Sequence, residues 1–452
     1  MHSAHFAKSS LLEEKKALGK GSSRTKKAIT QANELLLAYR KLCEALCGTD
    51  ELMAGADLMP QDDAVQLSLT DDAAVERTGK KHSKKAALPR EQLLDDQLPL
   101  DARKGTVYLK QLPKELAKAL ARLAAPLEEW LEDHREGESH DTLLQLYFDL
   151  KAFNRTADGY DEHYVTQLSA YGSELKVSLL CLDPSDFVDE SLALGRAAVL
   201  FSATLTPAGY YKAVLGCGNA RAVALQSPFA AQKMALYTAP VSTRYTDRKA
   251  SLAPIADWLA ALCSGRTGNY MAFFPSYAYL QQVHEVFRAR YPQIETVVQA
   301  SGLSDAERAE FLQRFSPAPD RTLLGFGVLG GVFGEGIDLA GDRLIGCAVV
   351  GVGLPQVNAR QEMLRRYFDE KNGQGFDFAY RYPGMNKVLQ AAGRVIRTPE
   401  DRGVVLLIDD RFGYSEYSRL FPPHWSHRKA LHQPQQLREE LAAFWQNEEE
   451  SE

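Results

Sequence analysis

Short apolar runs that alternate with helical stretches, from residue 207 to about residue 430, constrain the fold of this chain most strongly. The runs have the length of strands, and polar or Gly-rich segments separate them from the helices that follow. Strands that alternate with helices in this way assemble into a parallel sheet that is covered on both faces. The sequence therefore predicts an α/β fold with strands at 270–274, 296–298, 322–326, 344–350 and 404–408.

The residues before this alternation have a different pattern. Residues 1–145 are rich in Ala, Leu, Glu and Lys, and their apolar residues recur at helical spacing, which predicts a helical region. A polar segment at about 48–105 interrupts it. The basic cluster at 80–85 in this segment is typical of a solvated loop, with contact to nucleic acid as the alternative. Strands are expected only after residue 145, at 176–182 and at 197–201, and the second is predicted to be buried on both faces.

The C-terminal segment at 436–452 is predicted to be a terminal helix followed by an acidic tail. One face of this helix carries apolar side chains, namely Leu437, Leu441, Phe444 and Trp445. Such a stripe is typical of a helix that packs on the core of its domain.

Composition excludes several classes of protein. A net charge of −6 over 452 residues gives no overall basic character, so a nucleic-acid surface would have to be a local groove. The six cysteines have no spacing typical of a zinc or iron–sulfur site, and Cys43 and Cys47 lie in an apolar stripe typical of core packing. We expect no metal site and no iron–sulfur cluster in this chain. No apolar run has the length of a membrane span or the pattern of a secretory signal, so we expect a cytoplasmic protein without a membrane partner.

Several strand-to-loop junctions carry polar side chains, and ligands of α/β sheets bind where strands end. Ser202 and Thr204 follow the predicted strand at 197–201, where small hydroxyls serve either as a relay or as a simple capping turn. Ser276 follows the strand at 270–274 and is predicted to cap a helix, whose first turn also binds phosphate readily. Gln299 and Ser301 follow the next strand and offer polar groups at the same edge.

A Gly-rich segment lies between two of the predicted strands. Four glycines within seven residues, the last two being Gly334 and Gly336, allow backbone amides to approach an anion closely. Asp338 adds a carboxylate, suited to a ribose hydroxyl or to a neighbouring amide. A structural turn is the alternative, but it does not account for the acidic residues within the segment.

The segment at 390–397 carries the most distinctive chemistry. On a helix, Gln390, Gly393, Arg394 and Arg397 would share one face, because they are three or four residues apart. Two guanidinium groups one turn apart suit the negative charge that develops on a transferring phosphoryl group. The alternative is a pair of ordinary surface arginines that bind carboxylates.

The order of these motifs resembles the C-terminal motor half of superfamily 2 helicases, and within it the XPD/DinG group. Residues 202–204 resemble motif III, 273–277 motif IV, 334–338 motif V and 390–397 motif VI. Gln390 stands where DEAD-box proteins usually carry histidine. The resemblance covers about 165–425. It implies a RecA-like parallel-sheet motor domain at 207–435, a remnant of the first motor domain at 146–206, and a helical arch-like region at 1–145.

The resemblance also implies an activity, namely ATP-dependent 5′ to 3′ DNA unwinding in DNA repair. Arg394 and Arg397 would then stabilise the γ-phosphate of ATP bound with Mg²⁺. The other implied nucleotide contacts are Gly334, Gly336, Asp338, Gln390 and Gly393. The implied contacts to single-stranded DNA are Ser202, Thr204, Ser276, Gln299 and Ser301.

Two parts of such a motor do not occur in the printed sequence. The P-loop pattern G-x-x-x-x-G-K-[ST] is not found, since Gly19-Lys20 and Gly79-Lys80 both fail it. The pairs at 161–162 and 189–190 do not fit an Asp-Glu box that binds Mg²⁺, because neither follows a buried strand. We therefore expect a P-loop lobe lost in cis or supplied in trans, and little ATPase activity from this chain alone. The alternative is a non-catalytic single-strand-binding or adaptor protein derived from a helicase.

Overall fold

A computed structural model describes residues 4–7, 23–47, 105–136, 138–172, 174–331 and 339–449. These residues fall into two compact units. The first contains the described residues of Met1–Glu190 together with Asn358–Met363, and the second contains those of Ser191–Val357 and Leu364–Glu452. The polar segment predicted at about 48–105 lies outside the described residues except for its last residue, and so does the end of the acidic tail.

The first unit packs helices on a small antiparallel sheet. Its helices are α1 (Ser23–Cys47), α2 (Lys114–Asp133), α3 (Glu138–Asp158) and the start of α4 (Ser185–Ala193). Its strands are β1 (Ala4–Ala7), β2 (Thr106–Leu109), β3 (Tyr164–Tyr171) and β4 (Glu174–Cys181), in the order β1-β4-β3-β2. Leucines of α1, α2 and α3 form one apolar core with the sheet, because each helix carries them at helical spacing.

This first unit differs from the prediction in two respects. Strands β1 and β2 lie within the region that was expected to be helical, and both pair antiparallel with later strands. The division between the compact units falls after Glu190, between the predicted boundaries at 145 and 206, because the β3–β4 hairpin packs with the preceding helices. Four-residue strands such as β2 carry too few residues for a period of two to be recognised.

The second unit is built on a parallel sheet. Within its described residues the strand order is β11-β5-β10-β9-β6-β8-β7, and every pairing is parallel. The strands are β5 (Met234–Ala239), β6 (Asn269–Phe274), β7 (Glu295–Val298), β8 (Leu323–Val328), β9 (Gly346–Val350), β10 (Gly403–Ile408) and β11 (Lys429–Ala430). The predicted α/β fold class is therefore confirmed.

Helices cover both faces of this sheet. They are α5 (Ala208–Val214), α6 (Arg248–Cys263), α7 (Tyr277–Arg290), α8 (Asp305–Gln313), α9 (Ala359–Asn372), α10 (Tyr382–Ala392), α11 (Ser415–Ser418) and α12 (Pro434–Glu449). A short π-helix, Asp377–Arg381, precedes α10. The predicted terminal helix is confirmed as α12, whose Leu437 and Leu441 are buried.

Alternate residues of the strands enter two separate cores. In β6, Met271 and Phe273 pack with α10, whereas Tyr270, Ala272 and Phe274 pack with α6, α7 and α12. Because side chains of a strand alternate between faces, a continuous apolar run such as β6 is buried on both sides. This explains why the apolar runs of the sequence located the strands of this unit well.

The prediction of a strand at 197–201 is wrong. The segment has no regular secondary structure, and Val199 and Phe201 are 82% and 88% exposed. Its sequence favours a strand, but in the described part of the chain no neighbouring strand pairs with it. A strand needs such a neighbour for its backbone hydrogen bonds and for cover on its faces.

No helix in the described ranges has the length and apolar character needed to span a membrane.

Candidate functional site

Of the polar junctions predicted from the sequence, those that follow β6 and β7 lie at one edge of the parallel sheet. The strands β5, β10 and β9 end in register, since Ala239 pairs with Ile408 and Ile408 pairs with Val350. On the other side of β9, Phe274 at the end of β6 pairs with Val328 of β8. The loops after these strands therefore start at a common edge, where ligands of parallel α/β sheets bind.

Helix α10, in the second unit, leads into the arginine-containing segment at 390–397. Gln390 lies in the last turn of this helix, Gly393 is its C-cap, and Arg394 follows in a tightened turn with a hydrogen bond from its N–H to Ala391 O of 3.2 Å. Arg397 lies beyond the helix. The prediction that all four residues share one helix face is therefore wrong for Arg397.

The turn after α10 explains where the helix ends. Asp401 is buried, and its Oδ2 accepts hydrogen bonds from the backbone N–H groups of Arg397 at 2.7 Å and Thr398 at 2.8 Å. Thr398 Oγ1 donates to the other carboxylate oxygen at 3.0 Å. Asp401 thus fixes the backbone of Arg397 in a turn instead of a helix. The Thr-x-x-Asp spacing was the available signal for this residue, and sequence reasoning missed it.

Two glycines hold α10 against the loop after β9. A Cβ atom at Gly384, in the first turns of α10, would lie 2.7 Å from Val352 O, and one at Gly353 would lie 2.4 Å from Gly384 O. Gly353 also has a φ of +68°, a conformation that favours glycine. The two backbones can approach this closely only because both residues lack side chains. The contact sets the position of the helix that carries Gln390.

Lys387 is a further polar residue on α10, three positions before Gln390. A Cβ at Gly330 would lie 3.0 Å from Lys387 Cδ and 3.3 Å from its Nζ, so the lysine side chain lies against the backbone of the Gly-rich segment. Gly330 has a φ of +74°. Residues spaced by three lie on the same side of a helix, so the spacing from Gln390 was a signal that sequence reasoning did not use.

The remaining residues predicted in the Gly-rich segment lie outside the described residues. These are Gly334, Gly336 and Asp338. Their roles stay predictions.

Gln299 is placed inside the protein. It is 2% exposed, its Oε1 accepts a hydrogen bond from Val328 N at 2.8 Å, and its Nε2 donates to Tyr277 Oη at 2.9 Å. A side chain with these internal partners joins β8 to the start of α7 and does not face a ligand. The neighbouring glycines leave space for this amide. A Cβ at Gly327 would lie 3.3 Å from Gln299 Oε1, and one at Gly331 would lie 3.5 Å from Gln299 Nε2.

Ser276 and Ser301 occupy the positions expected of them. Ser276 caps α7 by accepting a hydrogen bond from Tyr279 N at 3.4 Å, which confirms the predicted N-cap. Ser301 lies in an exposed turn two residues after Gln299. Tyr277, which was predicted only as the last residue of the motif at 273–277, accepts a hydrogen bond from Gln299.

Ser202 and Thr204 form a local turn. Thr204 N donates to Ser202 Oγ at 3.3 Å, and the two hydroxyl oxygens are 3.4 Å apart. These bonds are those of the simple capping turn that was one of the two interpretations of this sequence. Helix α5 follows directly, and its Tyr210 packs on Phe378 and Tyr382.

An ionic cluster lies beyond the ends of β5 and β10, and sequence reasoning missed it. Asp409 is buried and accepts hydrogen bonds from Thr243 Oγ1 and from Arg411 Nε, the latter at 2.8 Å. Asp410 accepts two hydrogen bonds from Arg244 Nη1, at 2.8 and 2.9 Å. Burial alone would raise the pKa of Asp410, but the hydrogen bonds from Arg244 and Tyr414 outweigh it and lower that pKa. The pKa of Arg244 is raised by the same pairing.

The comparisons with known proteins agree with this geometry. The helicase C-terminal domain family matches residues 259–428. The ATP-dependent DNA helicase CHL1 of Coccidioides immitis is 25% identical over 311 residues, covering 58% of this chain and 35% of that protein. The 3′-5′ exonuclease DinG of Bacillus subtilis is 23% identical over 277 residues, covering 58% of this chain and 29% of that protein.

A solved structure shows the same fold. An apo XPD structure superposes with a TM-score of 0.51 at 17% sequence identity, covering 95% of this chain and 73% of that one. An identity this low supports the likeness of fold alone.

Residues 259–428 thus match the helicase C-terminal domain family. The chain is similar to the C-terminal part of the XPD/DinG-like superfamily 2 helicases, and the resemblance predicted from its motifs is confirmed. It spans about a third of the length of the curated relatives it matches, 35% of one and 29% of another.

Proposed function

We propose that this chain supplies the C-terminal motor lobe of an ATP-dependent DNA helicase that acts on single-stranded DNA in DNA repair, with 5′ to 3′ polarity by resemblance. The observation that carries the proposal is the placement of Gln390, Arg394 and Arg397. They lie in and just after a helix whose backbone is fixed by the Gly353–Gly384 contact, within a helicase C-terminal domain.

Arg394 and Arg397 stabilise the charge that develops on the γ-phosphate in this proposal. Guanidinium groups serve this role well because they stay charged and donate several hydrogen bonds in a fixed geometry. Asp401 holds the backbone at Arg397, which limits the directions that this arginine can take. Gln390 lies in the last turn of α10, and the exposed Gly393 caps this helix next to Arg394, where a nucleotide phosphate can approach the backbone.

The rest of the nucleotide site comes from a P-loop lobe. No group of three or more His, Cys, Asp or Glu side chains in the described ranges has a geometry that could hold a metal ion. We assign the carboxylates that hold Mg²⁺ with ATP to that lobe as well, because the Asp-Glu pairs at 161–162 and 189–190 do not follow a buried strand. The exposed segment 197–201 supports docking of such a lobe, because its apolar side chains and unpaired backbone match the edge of another sheet.

Single-stranded DNA binds along the carboxyl edge of the sheet in this proposal. Ser276, which caps α7, and Ser301, in the exposed turn after β7, contact the strand in this proposal. Gln299 acts through Tyr277 as a positioning residue, since its own side chain is buried. Ser202 and Thr204 lie at the end of the proposed docking segment.

The test combines this chain with the P-loop lobe of the same helicase, produced as a separate polypeptide. We expect single-strand-stimulated ATP hydrolysis from the mixture and none from this chain alone. Arg397→Ala should reduce the turnover about 1,000-fold or more, as loss of an arginine finger does. Arg290→Ala is the control. It removes one positive charge at the C-terminal end of α7, and it should leave the ATP turnover unchanged. Equal turnover by Arg397→Ala and wild type would refute the finger role.

A non-catalytic adaptor is the second candidate, and the missing P-loop pattern is the observation that favours it. It predicts single-strand binding that falls as salt rises, with no ATP turnover even when a P-loop lobe is added. The same mixing experiment therefore separates the two functions.

A further inference from the structure

The loop between β5 and α6 presents an aromatic ring to solvent at the carboxyl edge of the sheet. Tyr245 is 85% exposed, although large aromatic side chains bury much of their surface when they serve packing. It lies in a short 3₁₀ turn, Tyr245–Asp247, directly before α6. This position fixes the backbone of Tyr245 while its ring stays accessible.

Arg248 lies between this ring and a buried one. Its guanidinium carbon is 5.3 Å from the centroid of the Tyr245 ring and 4.7 Å from that of Tyr279. Tyr279 is 1% exposed, and its hydroxyl is 2.5 Å from Ser251 Oγ, so the inner ring is held in place. The two cation–π contacts orient the guanidinium without using its N–H donors.

Within the described part of the chain, no protein acceptor binds the N–H donors of the Arg248 guanidinium, and its carbonyl oxygen accepts a hydrogen bond from Ser251 Oγ at 2.8 Å. Its Nε is buried and unsatisfied. The neighbouring arginines differ, since Arg244 binds Asp410 and Arg411 binds Asp409. The nearby carboxylate of Asp247 accepts hydrogen bonds from Ser242 and Thr246. A buried guanidinium donor without an acceptor is costly, and a bound anion would satisfy it.

This pair belongs to the same edge as the capped start of α7. Tyr279, which contacts Arg248, is the third residue after Ser276 in the chain. A Cβ at Gly351 would lie 3.1 Å from Thr243 Oγ1 and 3.9 Å from Pro275 Cγ, so the loops after β5, β9 and β6 touch one another. A single strand of nucleic acid that passes Ser276 can therefore continue onto Tyr245.

We propose that Tyr245 and Arg248 form a binding site for one nucleotide of a single-stranded nucleic acid. The base stacks on the exposed face of Tyr245, and Arg248 donates hydrogen bonds to the adjoining phosphate. The proposal rests on the proposed function and adds a stacking contact to it. Aromatic stacking accepts every base, so this site binds strands without sequence preference. A ring that only shields the stem of Arg248 is the alternative.

The experiment measures binding of the full chain to a fluorescein-labelled dT20 strand, and to an abasic strand of the same length, by fluorescence anisotropy. Tyr245→Ala should weaken binding of dT20 by about 5- to 100-fold, the range for loss of one stacked base. It should leave binding of the abasic strand unchanged, because that strand has no base to stack. Tyr245→Phe keeps the ring and should bind dT20 like the wild type.

Arg248→Ala should weaken binding of both strands, because Arg248 donates hydrogen bonds to a phosphate and both strands carry phosphates. Arg290→Ala is the matched control. It removes an arginine that also contacts a tyrosine ring, that of Tyr291. Arg290 ends α7, about 20 Å from the start of this helix, so the variant should bind both strands normally. Wild-type affinity of Tyr245→Ala for dT20 would overturn this inference while leaving the proposed function intact. A wild-type chain that binds neither strand would refute both this inference and the proposed binding of single-stranded DNA.

Discussion

Single residues at the carboxyl edge of the sheet show how charge is managed there. Asp409 and Asp410 follow β10 in the chain, yet they pair with different arginines on different loops. Asp409 with Arg411 is buried and anchors the loop through Thr243, whereas Asp410 with Arg244 is more accessible. Breaking a buried pair leaves a charge without a partner, which costs more than the pair contributes. These pairs therefore fix the loop that precedes Tyr245.

The lowered pKa of Asp410 gives a prediction about acid stability. Because its pKa in the folded protein lies below its ordinary value of 3.8, the ionised carboxylate stabilises the fold above about that pH. That contribution should be lost as the pH falls below 3.8. Asp410→Asn should therefore lower the free energy of unfolding at pH 6, and the difference from wild type should shrink towards pH 3. Urea titrations at several pH values measure it, and a difference that grows on acidification would contradict the assignment.

The sequence could identify the chemistry of these residues only in part. Gln390 was predicted on the helix that carries it, and Arg394 lies directly after the cap of that helix. The spacing rule took no account of the turn around Asp401, which removes Arg397 from the helix. Gln299 was predicted to face a ligand because it follows a strand. Its burial depends on the space beside Gly327 and Gly331, which the linear sequence does not reveal.

At the scale of elements, the contact between α10 and the loop after β9 is the critical joint. Both contact residues, Gly353 and Gly384, lack side chains, so the contact leaves no room for an added methyl group. The strands around it were predictable because runs such as β6 and β10 are apolar throughout and buried on both faces. Strand β5, Met234–Ala239, was not predicted, although it is an apolar run of the same kind that is interrupted mainly by Thr238.

Gly384→Ala tests this joint. The added methyl group would meet Val352 O at 2.7 Å, so α10 must shift, which typically costs about 1–3 kcal/mol. We expect a lower free energy of unfolding and, with a P-loop lobe present, a lower ATP turnover. Gly413→Ala is the control, because a Cβ there would have no neighbour within 4 Å. Equal loss of stability in both variants would show that the close contact is not the cause.

At the scale of the whole molecule, the chain consists of two compact units with separate cores. The second unit carries the region that matches the helicase C-terminal domain family and also the exposed segment at 197–201. That segment is the part of the fold that sequence patterns predicted least well. Its composition is that of a buried strand, and whether it becomes one depends on a partner sheet, which composition does not encode.

Phe201→Ser tests the docking role of this segment. The change removes an apolar side chain that is 88% exposed, so it should not lower the stability of the chain alone. It should weaken association with the P-loop lobe at least tenfold, as loss of a central aromatic anchor does. Phe148→Ser, which alters another exposed aromatic residue in the first unit, should associate normally. Size-exclusion chromatography of the mixtures distinguishes the two, and normal association of Phe201→Ser would exclude the segment as the docking site.

The exposed segment also affects how the protein behaves in the test tube. Residues 197–203 contain no charge and no proline, and they combine high strand propensity with apolar side chains. Windows of this kind are typical starting points for amyloid-like assembly when no partner covers them. Concentrated stocks of the purified chain should therefore precipitate over time, and co-expression with its motor partner should keep it in solution.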